Sequence, residues 1–154
     1  MIKRRSLERI GAVAGTLSAA ILLTITQASA ISPENERATA VDGPSSAECA
    51  ESGESASTGW DAIVCYTAEG DWLEIDDRNS DGSSAVMDWE IRDYENKVVR
   101  YGATFNADGG NTVRYKNKDF PDGNTTIRFR ACLGHWSTKL ITAGTCSAWM
   151  SRDT

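Results

Sequence analysis

Three groups of residues carry side chains whose type and spacing could do chemistry. The first is Asp77-x-Asn79-x-Asp81-Gly82. It matches the opening of an acidic calcium loop, in which alternate oxygen ligands wrap a hard cation and glycine permits the sharp turn. Asp88 falls at the twelfth position, where a longer Glu would supply bidentate ligation. Asp, Asn and Gly are also the residues that an ordinary turn selects. Asp77, Asn79 and Asp81 are therefore candidate cation ligands on what is in any case a polar turn.

The second group is the single histidine, in Gly134-His135-Trp136-Ser137. With an acidic partner, such an imidazole could act as a general base. That would make the protein a small extracellular hydrolase. No Gly-x-Ser-x-Gly, His-Glu-x-x-His or phosphate-loop motif accompanies it, and no cofactor is expected.

The third group is aromatic. Five Trp is more than the core of a small domain needs, and exposed indole faces can stack on sugar rings or anchor a protein partner. Trp72, Trp136 and Trp60, with His135 nearby in sequence, are the candidate ligand contacts. The function expected first is a secreted, non-enzymatic binding module for an extracellular polysaccharide or another secreted protein, and the hydrolase using His135 is the alternative.

The segments that must position these residues divide the chain into three. Residues 1–30 read as an export signal: Lys3, Arg4, Arg5 and Arg9 precede an apolar stretch, and Ala28-Ser29-Ala30 is a small-x-small cleavage site. The apolar stretch is shorter than the roughly 20 residues of a membrane-spanning helix. Lys3 stands where a twin-arginine signal would carry Ser or Thr, which favours the general secretory route. Beyond Ala30 remain 12 basic and 21 acidic residues, a formal charge of −9. That balance disfavours nucleic acid and anionic membrane as partners, and a monomer is expected.

Residues 31–58, rich in Ser, Ala and Glu, hold only Ile31 and Val41 as large apolar side chains and read as a flexible acidic linker. Residues 59–154 show short alternating runs separated by Gly, Asn, Asp and Pro, with no helical stripe. The runs fall near 61–67, 71–77, 84–93, 97–105, 111–117, 124–133 and 145–151. This spacing predicts an all-β, seven-stranded antiparallel sandwich, immunoglobulin-like or jelly-roll-like.

Most large apolar residues in these runs fall on odd numbers from Leu73 to Leu133, among them Tyr101, Phe105, Val113 and Tyr115. Alternation along a strand then places odd positions in the core and Trp72, Arg100, Arg114, Lys116, Arg128 and Arg130 in solvent. By the same rule Trp89 and Trp149 point inward. If residues 119–123 close a hairpin, Arg114 and Arg128 lie nearly opposite each other.

Four cysteines in an exported domain are most simply two disulfides. Cys132 and Cys146 fit a bridge across a hairpin, leaving Cys49 with Cys65 to tie the linker down. Cys65 with Cys132 is the rival, but Arg130 replaces the tyrosine of an immunoglobulin domain. No Cys-x-x-Cys suggests a metal site.

An export signal, an acidic Ser/Ala segment, the Asp76-Asp77-x-x-x-Asp81-Gly82 turn and the pair Ala131-Cys132-x-Gly134 and Cys146-Ser147-Ala148-Trp149 together resemble the small secreted β-proteins of actinobacteria. The resemblance covers about residues 59–154. It implies a compartment and a β fold, and no particular activity.

Overall fold

The computed structural model describes residues 30–45, 48–52 and 60–154. Apart from Ala30, the expected export signal lies outside the described residues. Ten strands form: β1 (Glu34–Arg37), β2 (Glu48–Ser52), β3 (Ala62–Thr67), β4 (Trp72–Asp77), β5 (Ser84–Arg92), β6 (Val98–Asn106), β7 (Thr112–Asn117), β8 (Thr126–His135), β9 (Leu140–Ile141) and β10 (Met150–Asp153). One sheet runs β1-β6-β5-β8-β10 with β9 also on β8, and the other runs β2-β3-β4-β7. No helix occurs among the described residues, so none is long and apolar enough to cross a membrane.

Each of the seven expected runs overlaps a strand, the last by only two residues, but the count of seven is corrected to ten among the described residues and the purely antiparallel pairing to one that includes a parallel pair, β1 with β6. Of the three added strands, β9 is a two-residue pairing on β8, while β1 and β2 come from residues 31–58, so this segment is not simply a linker. Its composition hid them because both are short and neither holds a large apolar side chain.

Residues directly opposite each other in a ladder share a face, and this fixes the core. On the first sheet Met87, Trp89 and Ile91 of β5 face inward with Ala131, Phe129 and Ile127 of β8. On the second, Val64 and Tyr66 of β3 face inward with Ile75 and Leu73 of β4. These side chains form one buried cluster with Phe120. Trp89 and Phe120 pack at 5.2 Å between ring centroids, and Tyr66 meets Phe129 at 6.2 Å. The polar edge of Trp89 is satisfied inside the core, where Nε1 donates to Thr104 Oγ1 at 3.1 Å.

The odd-number rule holds for β4, β5 and β8 and reverses on β6 and β7. On β6 a register shift opposite Ile91 and Arg92 inserts Val99 as an extra residue, and a bulge of this kind exchanges the two faces for the rest of the strand. Tyr101 and Phe105 therefore face outward, opposite Glu90 and Val86. Tyr101 is exposed, whereas Phe105 is buried in a second, outer cluster with Val86, Ala103 and Cys132. On β7, Arg114 and Lys116 lie opposite the inward Ile75 and Leu73, while Val113 and Tyr115 pair on the outer face with Asp76 and Glu74. The expected hairpin around 119–123 does not form, because β7 and β8 belong to different sheets.

The inward cations on β7 meet β1 at one open side of the sandwich. Lys116 Nζ lies 3.0 Å from Glu36, and Arg114 Nε lies 2.5 Å from Asp108, which also holds Arg37. Lys118 bridges Glu34, at 3.0 Å, and Glu36, with its ammonium 4.8 Å from the Trp89 ring centroid. Arg100 grips Glu34 with two hydrogen bonds of 2.8 and 2.9 Å. Past β1 the chain changes sheets: Ala38 N donates to Phe105 O, and Ala40 exchanges hydrogen bonds with Tyr115. Gly102 permits the close approach of β1, since a Cβ there would collide with the Glu34 carbonyl and lie 2.8 Å from Trp89.

Both disulfides join the expected partners. Cys49 and Cys65 are directly opposite on β2 and β3, with Cα atoms 4.0 Å apart. Cys132 on β8 reaches Cys146 in the segment before β10.

Candidate tryptophan groove

The opposite open side of the sandwich, between β2 and the β8–β10 edge, is not sealed in the same way. There the chain from Thr142 to Met150 runs beside β8 but bows outward. Thr142 N donates to Leu133 O at 2.8 Å and Ser147 N to Ala131 O at 2.8 Å. Between and beside these contacts, hydroxyls stand in for backbone groups: Leu133 N donates to Thr145 Oγ1 at 3.0 Å, and Ala131 N to Ser147 Oγ at 3.1 Å. The Cys132–Cys146 bond ties the bow to β8.

Facing it, β2 is held to β3 by its ladder and by Cys49–Cys65. Ser52 Oγ donates to Thr145 O across the gap. A recess of about 550 Å³ lies here, lined by Glu51, Trp60, Asp61, Thr145 and Ser147 among others. A smaller one of about 280 Å³ adjoins it, sharing Glu51, Trp60, Ser147 and Ala148 and reaching Cys49 and Met150. Together they form a groove along Trp60, with a disulfide in each wall.

Trp60 is fixed by its neighbour. Asp61 N donates to Ser52 O at 2.9 Å, Asp61 O accepts from Arg78 N at 3.0 Å, and Asp61 Oδ1 accepts from Asn79 Nδ2 at 3.0 Å. The acidic turn thus buttresses the groove. Its carboxylates are occupied locally: Asp77 Oδ1 accepts from Asn79 N and Oδ2 from Ala85 N, both at 3.3 Å, and Asp81 Oδ1 accepts from Ser83 N at 2.7 Å. Burial pushes the Asp77 carboxyl above its ordinary range, against the pull of those two N–H groups. Asp88 faces away on β5 and pairs with Arg130 at 2.7 Å. Asp77, Asn79 and Asp81 act here as turn caps, and their hydrogen bonds do not converge on a common centre.

The remaining candidates are dispersed. Trp72 begins β4 at the far end of β3 from Trp60, roughly 20 Å away by strand rise. Its indole folds over the 68–71 turn, with Nε1 3.2 Å from the position a Cβ of Gly70 would take. Trp136 packs on Phe105 at 5.6 Å, with Arg37 6.0 Å and Lys139 5.3 Å from its ring centroid. It seals the outer cluster. His135 is exposed at the end of β8, and no side chain hydrogen-bonds its imidazole among the described residues.

Trp149, expected inward, instead stacks on the outer face against Arg128 and Arg130, at 5.0 and 4.3 Å. The bow before β10 breaks the strand whose alternation had placed it inside. The two arginines in turn pair with Glu90 and Asp88, so their charge is answered within the sheet.

The composition around Trp60 gave no signal for Glu51, Asp61, Thr145 or Ser147 as groove residues. They are ordinary polar residues, brought together by two edges that are distant in sequence. A second polar recess of similar volume lies between Asp93, Tyr94, Asn124 and Thr154 and contains no tryptophan.

No protein-family model matches the chain, and no curated protein matches it. A solved structure described as an endonuclease/exonuclease/phosphatase from Beutenbergia cavernae aligns over 61% of this chain at 18% identity, with a TM-score of 0.28. The aligned region spans 23% of that protein. A likeness at this level carries neither fold nor activity to this chain.

Proposed function

We propose that the protein is exported and acts as a non-enzymatic binding module that takes an extracellular polysaccharide into the groove beside Trp60. The supporting observation is that one tryptophan lines both recesses together with Glu51 and two disulfide-held walls. A flat apolar face bordered by hydrogen-bonding groups suits a sugar ring, whose two faces are apolar and whose rim is polar.

Two disulfides and a net acidic composition fit an extracellular setting. The groove is preferred over Trp72 and Trp136 because those indoles are packed on their own chain. It is preferred over a hydrolase because no side chain hydrogen-bonds the His135 imidazole among the described residues.

A pull-down of the purified protein on immobilised cell-wall and environmental polysaccharides tests this reading. Retention on a specific polymer that is lost in Trp60→Ala and kept in Trp72→Ala is the expected result. Retention unaffected by Trp60→Ala would contradict the groove, and no retention on any polymer would contradict the class of ligand.

A further inference from the structure

We infer that the Trp60 groove recognises its polysaccharide through protonated amines, so that its ligand is a polymer of amino sugars carrying free amino groups rather than a neutral or acidic glycan. This rests on the binding-module reading of the same groove and narrows it.

Charge at the groove has one sign. Glu51 lines both recesses and Asp61 the larger, while no Lys or Arg among the described residues lines either. The sequence extends the pattern, since residues 38–77 contain ten acidic and no basic side chains. Glu48, three residues before Glu51 on the same strand, is bound to Arg152. Neither Glu51 nor Asp61 forms an ion pair among the described residues.

Hydrogen-bonding capacity is equally one-sided. The Ser52 hydroxyl donates to Thr145 O, the Thr145 hydroxyl to Thr142 O and the Ser147 hydroxyl to Ala148 O, so these three protons are already engaged. The groove is thus left rich in acceptors and poor in donors. An acceptor-rich recess bounded by an indole face and carboxylates favours a ligand that brings donors and positive charge: an ammonium is held by Coulomb attraction in the cleft and by the ring quadrupole of Trp60. A carboxylated or sulfated sugar meets repulsion, and an N-acetylated one loses the charge.

Calorimetric titration with a β-1,4-linked glucosamine hexamer and with its fully N-acetylated counterpart separates the possibilities. The amine hexamer is expected to bind at least tenfold tighter, with an advantage that shrinks as salt screens the charges and as pH rises through the amine pKa. Glu51→Gln/Asp61→Asn should erase the difference between the oligomers, and Trp60→Ala should abolish binding of both. Asp61→Asn retains the oxygen that accepts from Asn79, and near-ultraviolet circular dichroism checks that each variant is folded. Equal, Trp60-dependent binding of the two hexamers would overturn the amine preference and leave the groove reading standing. Binding of the amine hexamer that ignores Trp60→Ala would overturn the inference as diffuse attraction to an acidic surface. Binding of neither would overturn both.

Discussion

Lys118 holds its ammonium 3.0 Å from the Glu34 carboxylate while only 6% of its side chain is exposed. The pair joins the first strand of the fold to the segment that follows β7, and it makes β1 an integral part of the sandwich. Without its carboxylates, Lys118 would be a buried, unpaired cation against the Trp89 and Phe120 rings. Removing both acids by Glu34→Gln/Glu36→Gln should destabilise the domain by about 3 kcal/mol. Adding Lys118→Met to that background should recover part of the loss. Urea unfolding of the native protein, the two variants and Lys118→Met alone checks this, and strict additivity would contradict the coupling.

The same carboxylate predicts an acid transition. The hydrogen bonds from Arg100, with Lys118 assisting, hold Glu34 at about 2 against an ordinary 4.5. A depressed folded-state value means stability that is fully present above the unfolded value and lost as pH falls from 4.5 toward 2. Glu34 is partly exposed, so screening reduces the contribution to about 1 kcal/mol. Thermal melts across this window should show the loss in the native protein and a flatter profile in Glu34→Gln.

Gly102 gates the docking of β1. Gly102→Val places carbon where the Glu34 carbonyl and Trp89 Cζ2 stand, and it should displace β1 while β5, β8 and the second sheet persist. Hydrogen exchange should then rise selectively at the Ala38 amide, which donates to Phe105 O. Retained protection there would refute the steric account.

The acidic turn is expected to matter for stability without calcium. Asp77 accepts two backbone N–H groups while buried, so Asp77→Ala should cost about 2 kcal/mol. Adding calcium to the native protein should leave the melting temperature unchanged. A calcium-dependent rise would instead show that the turn opens to coordinate the ion.

Each disulfide closes a short loop and should contribute about 3 kcal/mol. They differ in access: Cys49 is exposed, whereas Cys132 is fully buried. Mild reduction followed by alkylation and mass mapping should label Cys49 and Cys65 first. Because β2 is a wall of the groove, that species should bind more weakly than the oxidised protein.

The strands were legible wherever apolar alternation met a continuous ladder. Met87, Trp89 and Ile91 read correctly because β5 is central, paired on both sides, and keeps one register against β8. Tyr101 and Phe105 did not, because the extra residue Val99 changes which parity faces the core. Val113 and Tyr115 misled for a different reason. β7 is an edge strand, so its inward side meets the carboxylate of Glu36 on β1 and of Asp108 instead of apolar residues.

Cysteine spacing was enough to assign both disulfides. Trp60 was visible as an aromatic at a strand start, but its groove was not. Its walls are set by β2, which composition concealed, and by the bow at 143–149, whose hydroxyl-to-backbone bonds leave no trace in hydropathy.

Of the five tryptophans, Trp60 is the one proposed to meet the ligand. Five tryptophans give five indole N–H resonances in a ¹H–¹⁵N spectrum, and titration with the polysaccharide retained in the pull-down reads them simultaneously. The Trp60 resonance should shift and saturate while those of Trp72, Trp89, Trp136 and Trp149 move little. A silent Trp60 beside a saturating shift at Trp72 or Trp149 would contradict it.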